Sequence, residues 1–528
     1  MNRIFKRLFF GRPVSTHEEL HHRLSKKVAL AVFSSDALSS SAYATDEILL
    51  VLVLAGGLAL QYSIGISLAV ALVLGVVIAS YRQTVRAYPS GGGAYIVTKD
   101  GLGTFPGLIA AAAILIDYVL TVSVSVAAGL AAVGAAFPAI HNHRVGASLL
   151  IVLFITMLNL RGLKESGTIF AIPTYGFLLS MAVLIGVGVF RVLTNTVAPI
   201  PPHAITPEVG LSVLVILKAF SAGCTAMTGV EAISDGVPAF KRPESKNASQ
   251  TLLTLGLLLG FLFLGITFLA RALNVDPIQI EHGKTVTSQI GGQIFGSNSP
   301  MFFIIQAFTS LILFLAANTA FADFPRLASI LARDRFLPRV LQNRGDKLAF
   351  SNGIMVLAAG ASVVLIKYGA LVHRIIPLYV VGVFTSFTLS QTGMVIHWLK
   401  AHKAAGTLGT AEPAHWRRNI AINAFGAFTT FVVLVIIAIA KFTGGAWQVI
   451  VLIPAVAWLL YRINGHYRSV ERRLKLQPVP RAVAPGKVLI LVTRFRGATK
   501  ALAFVRSLVP DQLKIVAMRT SEVRRLNL

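Results

Sequence analysis

The chain alternates long apolar runs with short polar segments along most of its length. Each apolar run holds roughly 20 residues, enough for an α-helix to cross the hydrocarbon core of a bilayer. We predict twelve transmembrane helices, at about residues 28–55, 62–81, 104–138, 145–160, 166–190, 213–235, 250–272, 299–325, 351–366, 373–398, 420–441 and 446–463. The pattern therefore indicates an all-α polytopic membrane protein.

The composition agrees with this fold class and removes several others. Only 13% of the 528 residues are charged, whereas soluble proteins carry about 25%. This deficit excludes a soluble enzyme, a secreted scaffold and a disordered regulator. The chain has one cysteine, Cys224, so a disulfide framework and a CxxC metal site are excluded within a single chain.

The net charge of +27 raises the alternative of a nucleic-acid-binding protein. Most of the 48 Lys and Arg residues, however, lie in the N-terminal segment, in the loops after the even-numbered spans and in the C-terminal tail. This is the positive-inside pattern of membrane proteins. It predicts cytoplasmic termini and a lipid bilayer as partner, with tail residues near anionic lipid, and no nucleic-acid polymer.

Three regions follow from these patterns. Residues 1–27 are basic and lack a short apolar stretch before a small-residue cleavage site, so we expect a cytoplasmic N-terminal segment and no secretion signal. Residues 28–463 form the transmembrane transport domain. Residues 464–528 form a cytoplasmic tail that begins with a basic, proline-punctuated linker.

Spans 1 and 6 share an unusual composition. Residues 33–43 (FSSDALSSSAY) and 221–231 (SAGCTAMTGVE) each interrupt an apolar helix with small polar residues and a carboxylate. Ser and Thr can satisfy the backbone groups that are freed where a helix unwinds. Two broken helices in corresponding positions indicate an inverted repeat with a central binding site. The alternative is chance similarity between two Ser/Thr-rich helices.

Three carboxylates lie near the middle of predicted spans: Asp36, Asp117 and Glu231. Each costs on the order of 3 kcal/mol to insert, and no Lys or Arg lies mid-span to neutralise it. Either they are protonated and structural, or a mobile cation is their partner. Four further acids lie nearer span ends, where we expect solvent or Arg partners: Asp46, Glu47, Asp235 and Asp323.

Span 3 adds oxygen ligands to this set. Asp117, Thr121 and Ser125 follow one another at four-residue spacing and share one helix face, with Tyr118 beside them. Hard cations prefer such oxygen ligands, and transport proteins replace the water of an ion with them. The alternative is that the two hydroxyls bond back to their own helix.

Other motifs do not favour an enzyme. The segment 89–95 (PSGGGAY) lacks the ending of a phosphate loop, so we predict a tight turn. A GxSxG motif is absent from the sequence. A channel remains an alternative, as does an intramembrane aspartyl protease that would use Asp36 and Asp117, although its GxGD motif is absent.

Residues 1–463 resemble the amino acid–polyamine–organocation superfamily of transporters, and within it the KimA-type potassium importers, which are related to the KUP family. The motifs that carry the resemblance are residues 34–39 with Tyr43, the loop 81–95, Asp117 and Tyr118 with Thr121 and Ser125, residues 228–234, residues 322–327, and Tyr379. The resemblance implies a 5+5 inverted repeat (LeuT-like) with broken helices 1 and 6.

The resemblance also implies a function, proton-coupled potassium uptake by alternating access at the bacterial cell (inner) membrane, with potassium and protons as transported species and no cofactor. The positions that correspond to the ion path and binding sites of that family are Asp36, Tyr43, Asp117, Tyr118, Thr121, Ser125, Thr228, Glu231 and Tyr379. Glu231 is the candidate proton carrier.

The alternative within the superfamily is an amino-acid or polyamine permease. Such permeases typically hold the substrate carboxylate at a glycine-rich break in the first span. Here the break contains Asp36, and two close unit charges at an effective dielectric of about 20 repel each other by several kcal/mol. A cation is therefore the better guest, and a polyamine or a cationic amino acid stays open.

The tail predicts a small α/β unit. Lys487–Val492 has the pattern of a buried strand, 498–509 of a helix and 513–518 of a second strand. This resembles the start of the KimA-type tail domain, which implies a homodimer and regulation by cyclic di-AMP. A single βαβ unit would expose apolar sheet faces, so we expect it to lean on another subunit or the membrane domain, or to be poorly ordered.

Overall fold

The computed structural model describes residues 23–91, 93–161, 167–201, 205–343, 350–408, 415–474, 487–492, 512–519 and 522–527. The chain divides into two compact units, Met1–Gly465 and His466–Leu528.

The first unit is helical in its described part. The α-helices, in chain order, are α1 Lys26–Phe33, α2 Ser35–Leu52, α3 Ser63–Ala87, α4 Ala94–Leu102, α5 Thr104–Ala136, α6 Arg144–Leu160, α7 Gly167–Leu193, α8 Val213–Gly223, α9 Ala232–Asp235, α10 Glu244–Ala272, α11 Ile278–Glu281, α12 Val286–Phe295, α13 Pro300–Arg333, α14 Ser351–Lys367, α15 Val372–Leu408, α16 Trp416–Ala440 and α17 Trp447–Leu474. Short 3-10 segments are Val53–Ala55, Gly57–Tyr62, Pro138–His143, Cys224–Met227, Val237–Ala239 and Arg339–Gln342, and Phe442–Ala446 is π-helical.

The predicted spans all have a helical counterpart. Over the residues that the structure describes, 11 helical stretches are long and apolar enough to cross a membrane. The remaining predicted span corresponds to α14, an apolar helix of 17 residues. The prediction of a polytopic helical membrane protein is therefore confirmed.

Several helices extend beyond their apolar runs. Helix α10 begins at Glu244, and α13, α15 and α17 end at Arg333, Leu408 and Leu474. The added turns are rich in polar and basic residues, so the hydropathy pattern predicts these four helices too short. All four extensions lie on the side of the basic loops.

The helices that carry the buried acids are the central ones. In the spans Ser35–Ala55 and Thr104–Ala136, 78% of the apolar window is buried, against 28% in Trp416–Ala440 and Phe442–Arg473. Helix α5 packs most extensively against α13 and α15. The acids of α2 and α5 therefore lie in the core of the bundle and not against lipid.

The start of span 1 is attached to the end of span 6. The Leu24 N–H donates to the Ala239 carbonyl at 2.7 Å, and the Lys241 N–H donates to the Leu24 carbonyl at 2.9 Å. The rings of Phe33 and Phe240 also stack, with centroids 5.8 Å apart. The two interrupted spans are thus held side by side.

The second unit contains a three-stranded sheet in its described residues. Strand β1 (Lys487–Val492) pairs in parallel with β2 (Gln512–Arg519), and β2 pairs antiparallel with β3 (Glu522–Asn527). The first two strands coincide with those expected from the sequence, and the third was not expected. The predicted helix at 498–509 lies outside the described residues.

Candidate functional site

The interruption of span 1 is a single residue. Helix α1 ends at Phe33, α2 begins at Ser35, and Ser34 joins them. The hydroxyls of Ser39 and Ser41 donate to carbonyls of their own helix at 2.8 and 2.7 Å. Ser40 reaches across the bundle as well, to the Ala226 carbonyl of span 6 at 3.0 Å. The serine-rich segment therefore mainly satisfies its own backbone and touches span 6 at one point.

The interruption of span 6 is deeper. Helix α8 ends at Gly223, a 3-10 turn follows, and Thr228 is extended. Gly229 then adopts a φ of +76°, and a Cβ at this position would lie 2.6 Å from Asp36 Oδ2. The unwound segment is therefore seated directly on the carboxylate of span 1, which only glycine permits.

The three mid-span acids converge on this region. Asp117 is 6% and Glu231 7% exposed, and Asp36, Asp117 and Glu231 are close enough to interact electrostatically. The Oδ1 atoms of Asp36 and Asp117 are enclosed with no hydrogen-bond partner. Glu231 Oε2 accepts a hydrogen bond from the Ser386 hydroxyl at 2.9 Å. Within the described part of the chain, no Lys or Arg forms an ion pair with any of the three.

Hydroxyl groups from four spans surround these acids. The Thr121 hydroxyl donates to Tyr379 Oη at 3.0 Å, joining α5 to α15. Thr228 donates to the Thr225 carbonyl of its own span at 3.0 Å. Ser125 is 2% and Tyr43 5% exposed. The back-bonding alternative for span 3 is thus not found for Thr121, whose hydroxyl bridges two helices, whereas the Thr228 hydroxyl does bond back to its own span.

Two cavities lie at opposite ends of this region. A cavity of about 520 Å³ on the side of the basic loops is bounded by Phe33, Tyr118, Asp235 and Asp323. A cavity of about 100 Å³ on the other side is bounded by Tyr43 and Asp46, among others. Tyr118 donates to Asp235 Oδ2 at 3.5 Å, so it faces the larger cavity. The acid-lined centre is enclosed between the two.

Comparison with known proteins identifies the family. Residues 24–460 match the family model described as "Amino acid permease". The chain belongs to the amino acid permease family. Over 488 residues it is 45% identical to the protein named "Potassium transporter KimA" of Bacillus subtilis (strain 168), an alignment that covers 92% of this chain and 78% of the relative. It is also 23% identical over 270 residues to "Low-affinity putrescine importer PlaP" of Escherichia coli, covering 49% of this chain and 57% of the relative.

The permease is therefore a membrane transport protein, and the alternative of an intramembrane protease is set aside. The superfamily assignment made from the sequence is confirmed by the family match and by the extent of the 45% identity. The individual site residues remain predictions, which the geometry above supports to different degrees.

The glycine-rich loop of the permease, residues 89–95, forms a tight turn and also packs against span 6. Gly91 has a φ of +93° and its N–H donates to the Tyr88 carbonyl at 3.1 Å, which is the predicted tight turn. A Cβ on Gly93 would lie 2.3 Å from Asp235 Oδ1. The loop thus packs against the end of span 6 and forms part of the larger cavity.

One expectation for the acids near span ends is wrong, and another is confirmed. Asp46 and Glu47 are only 5% and 3% exposed, so solvent is not their partner. The short helices α11 and α12, which lie between α10 and α13 in the chain, cover them; the Val286 N–H of α12 donates to Asp46 Oδ2 at 3.3 Å. Asp323 instead accepts from Arg326 at 3.2 Å, as its neighbouring arginine predicts.

Ser386 is a site residue that the sequence patterns do not predict. It lies on α15, one of several Ser and Thr residues there, and its hydroxyl contacts Glu231 across a sequence separation of 155 residues. A pattern based on periodicity cannot find such a pair, because the contact depends on how α15 packs against the unwound segment of span 6.

Proposed function

We propose that this permease takes up potassium together with a proton by alternating access. The observation that carries the proposal is the set of three enclosed acids, Asp36, Asp117 and Glu231, which lack a cationic partner among the described residues. An unpaired carboxylate buried in a membrane protein is costly. A transported cation and a transported proton would each remove that cost while bound.

The chemistry of the site favours an inorganic cation over a zwitterionic substrate. Its groups are carboxylate and hydroxyl oxygens. The unwound backbone at Gly229 lies against the Asp36 carboxylate, so Asp36 occupies the place where backbone amides would bind the carboxylate of a zwitterionic substrate. The Thr121–Tyr379 pair at 3.0 Å holds two such oxygens together. Oxygen ligands that replace an ion's hydration shell are the usual means of binding potassium.

Similarity supports potassium in particular. The relative named as a potassium transporter shares 45% identity over 92% of this chain, whereas the putrescine importer shares 23% over about half of it. The second similarity keeps a polyamine as the second candidate substrate, since three acids would also bind an amine.

Glu231 is the proposed proton carrier, and its contact with Ser386 supports this role. When Glu231 is ionised, the Ser386 hydroxyl can donate to it at 2.9 Å. When Glu231 is protonated, its carboxyl O–H can donate to Ser386 Oγ. The Ser386 hydroxyl then donates to the Val383 carbonyl at 2.9 Å. A hydroxyl is both donor and acceptor, so both protonation states keep their hydrogen bonds.

The two cavities support alternating access. The larger one, about 520 Å³, lies on the side of the basic loops, and the one on the other side is about 100 Å³. With the basic loops cytoplasmic, the larger of these two cavities faces the cytoplasm. The broken spans 1 and 6 are the corresponding elements of the proposed inverted repeat, which would rock about the site in the bacterial cell (inner) membrane.

The tail extends the proposal to assembly and regulation. The parallel pair β1–β2 provides a start for an α/β unit, through which we expect a homodimer and cyclic di-AMP regulation. Measuring the mass of the detergent-solubilised protein and its binding of radiolabelled cyclic di-AMP tests both expectations, and a monomer that binds no nucleotide would contradict them.

Uptake in a bacterial host that lacks its own potassium importers tests the transport proposal. We expect saturable rubidium uptake that is faster in mildly acidic than in mildly alkaline medium. Asp36→Asn and Glu231→Gln should abolish it, and Glu208→Gln, an exposed loop acid, should not. Wild-type protein present in the membrane without any potassium or rubidium uptake would overturn the proposal, and accumulation of putrescine instead would favour the polyamine.

A further inference from the structure

The smaller cavity has features of a second binding site. It lies on the side away from the basic loops, and Tyr43, Asp46, Thr287 and Thr309 are among the residues that line it. Its volume of about 100 Å³ is several times the roughly 10–15 Å³ that a cavity needs to hold one water molecule. An ion with part of its hydration shell would fit inside.

Two polar atoms of this cavity are buried without a partner. Asp46 is 5% exposed; its Oδ2 accepts from the Val286 N–H at 3.3 Å, but its Oδ1 has no hydrogen bond among the described residues. Thr309 is 2% exposed, and its Oγ1 is also unpartnered in that part of the chain. A buried polar group without a hydrogen bond costs free energy. Two such groups lining one cavity indicate that something polar fills it.

The charges around the cavity indicate a cation. At its inner end, Asp46 has no ion pair within the described residues, whereas Glu47 interacts with the buried Lys441. At the rim, Glu281 and Arg144 carry opposite charges, and the Arg144 Nε donates to the Gly369 carbonyl at 2.9 Å. The net charge near Asp46 is therefore negative.

The ligand types restrict the cation further. Hydroxyls also line the cavity: those of Thr285 and Thr287, whose oxygens are 3.1 Å apart, and that of Thr309. Asp46, Glu47 and Glu281 all line the cavity, but Glu47 interacts with Lys441 and Glu281 shares the rim with Arg144, so Asp46 is the carboxylate left without an opposite charge in the described residues. One such carboxylate with neutral oxygens suits a monovalent cation, since calcium sites use several carboxylates. We infer that the Asp46–Thr309 cavity is an outer site for a monovalent cation, from which ions reach the central site.

This outer site is distinct from the central one. Asp36 and Asp46 lie ten residues apart on α2, which at 1.5 Å per residue corresponds to about 15 Å along the helix. Tyr43 lies between them, and it lines the outer cavity while standing two turns from Asp36. An ion that leaves the outer site inward therefore meets Tyr43 next.

Kinetic measurements on two conservative variants test the inference, which rests on the proposed potassium uptake. Asp46→Asn keeps an acceptor for the Val286 N–H, and Thr309→Val keeps the side-chain shape. We expect each to raise the KM for external rubidium about tenfold, with the maximal rate and the amount in the membrane nearly unchanged. Ser310→Ala is the control, because its hydroxyl donates to the Ala307 carbonyl of its own helix at 2.9 Å.

Thallium(I) gives a readout that does not depend on transport. Crystals of the full chain soaked in thallium(I) should show an anomalous peak beside Asp46 Oδ1 and Thr309 Oγ1, which is lost in Asp46→Asn. An unchanged KM in both variants, or a wild-type crystal without this peak, overturns the outer site. Wild-type protein that moves no rubidium would instead overturn the proposed uptake, so the two failures are distinguishable.

Discussion

At the scale of single residues, the site depends on a close fit between Gly229 and Asp36. The glycine has a φ of +76°, and a methyl group there would lie 2.6 Å from the carboxylate. Placing a non-glycine residue in this backbone region costs roughly 1–2 kcal/mol, and the contact adds to that cost. The spacing between the two interrupted spans is therefore set by one missing side chain.

Gly229→Ala should consequently abolish rubidium uptake and lower thermal stability. The matched control is Gly134→Ala in α5, where an added Cβ meets nothing within 4 Å. Uptake in the host without potassium importers and melting of the purified proteins measure both effects. Normal transport by Gly229→Ala would contradict the close fit.

The hydrogen bond between Thr121 and Tyr379 offers a second residue-scale test. If both oxygens bind the ion together, Thr121→Val and Tyr379→Phe should each raise the KM for rubidium. In the double variant the effects should not add, with a coupling free energy of about 1 kcal/mol. Ser123→Ala is the control, because the Ser123 hydroxyl bonds the Val119 carbonyl at 2.9 Å. Fully additive effects would show that the two oxygens act separately.

At the scale of elements, most of the membrane block could be predicted from the sequence because apolar run length determines a span. The interruption in span 6 was also predictable from its Ser, Thr and Gly residues. What could not be predicted are contacts that depend on packing. Asp46 and Glu47 were expected at a solvated span end, yet the short helices α11 and α12 bury them, and neither helix is long enough to show a clear period.

The packing of α4 on α15 illustrates how small residues position the glycine-rich loop. A Cβ on Gly101 would lie 2.6 Å from the Gly393 carbonyl oxygen, so the two backbones are in direct contact, as small residues allow in membranes. Gly101→Val should separate α4 from α15 and lower the melting temperature of the purified protein by several degrees. Gly65→Ala, at a position with nothing within 4 Å, should leave it unchanged; equal melting of both variants would refute the contact.

At the scale of the whole molecule, the permease encloses its acids between two cavities of unequal size. The cavity on the side of the basic loops is about 520 Å³ and that on the other side about 100 Å³. If the molecule alternates between inward- and outward-open states, a change that opens one cavity must close the other. Binding of the ion can shift this balance only through different affinities for the two states.

Cysteine labelling tests this reciprocity, since the native Cys224 is buried and leaves a low background. Ala239→Cys lies in the larger cavity and Ala131→Cys in the smaller one. A membrane-impermeant maleimide should label them from opposite sides of the membrane, and added potassium should change their rates in opposite directions. Rates that rise or fall together would contradict alternating access.

Competition in proteoliposomes tests whether the enclosed acids bind potassium. Purified wild type, Asp117→Asn and Glu208→Gln would be reconstituted, and rubidium uptake measured with excess potassium, putrescine or neutral amino acids outside. We expect rubidium uptake in wild type and in Glu208→Gln, and potassium alone should inhibit it. Asp117→Asn should show no uptake. Inhibition by putrescine but not potassium, or full activity of Asp117→Asn, would contradict potassium binding by these acids.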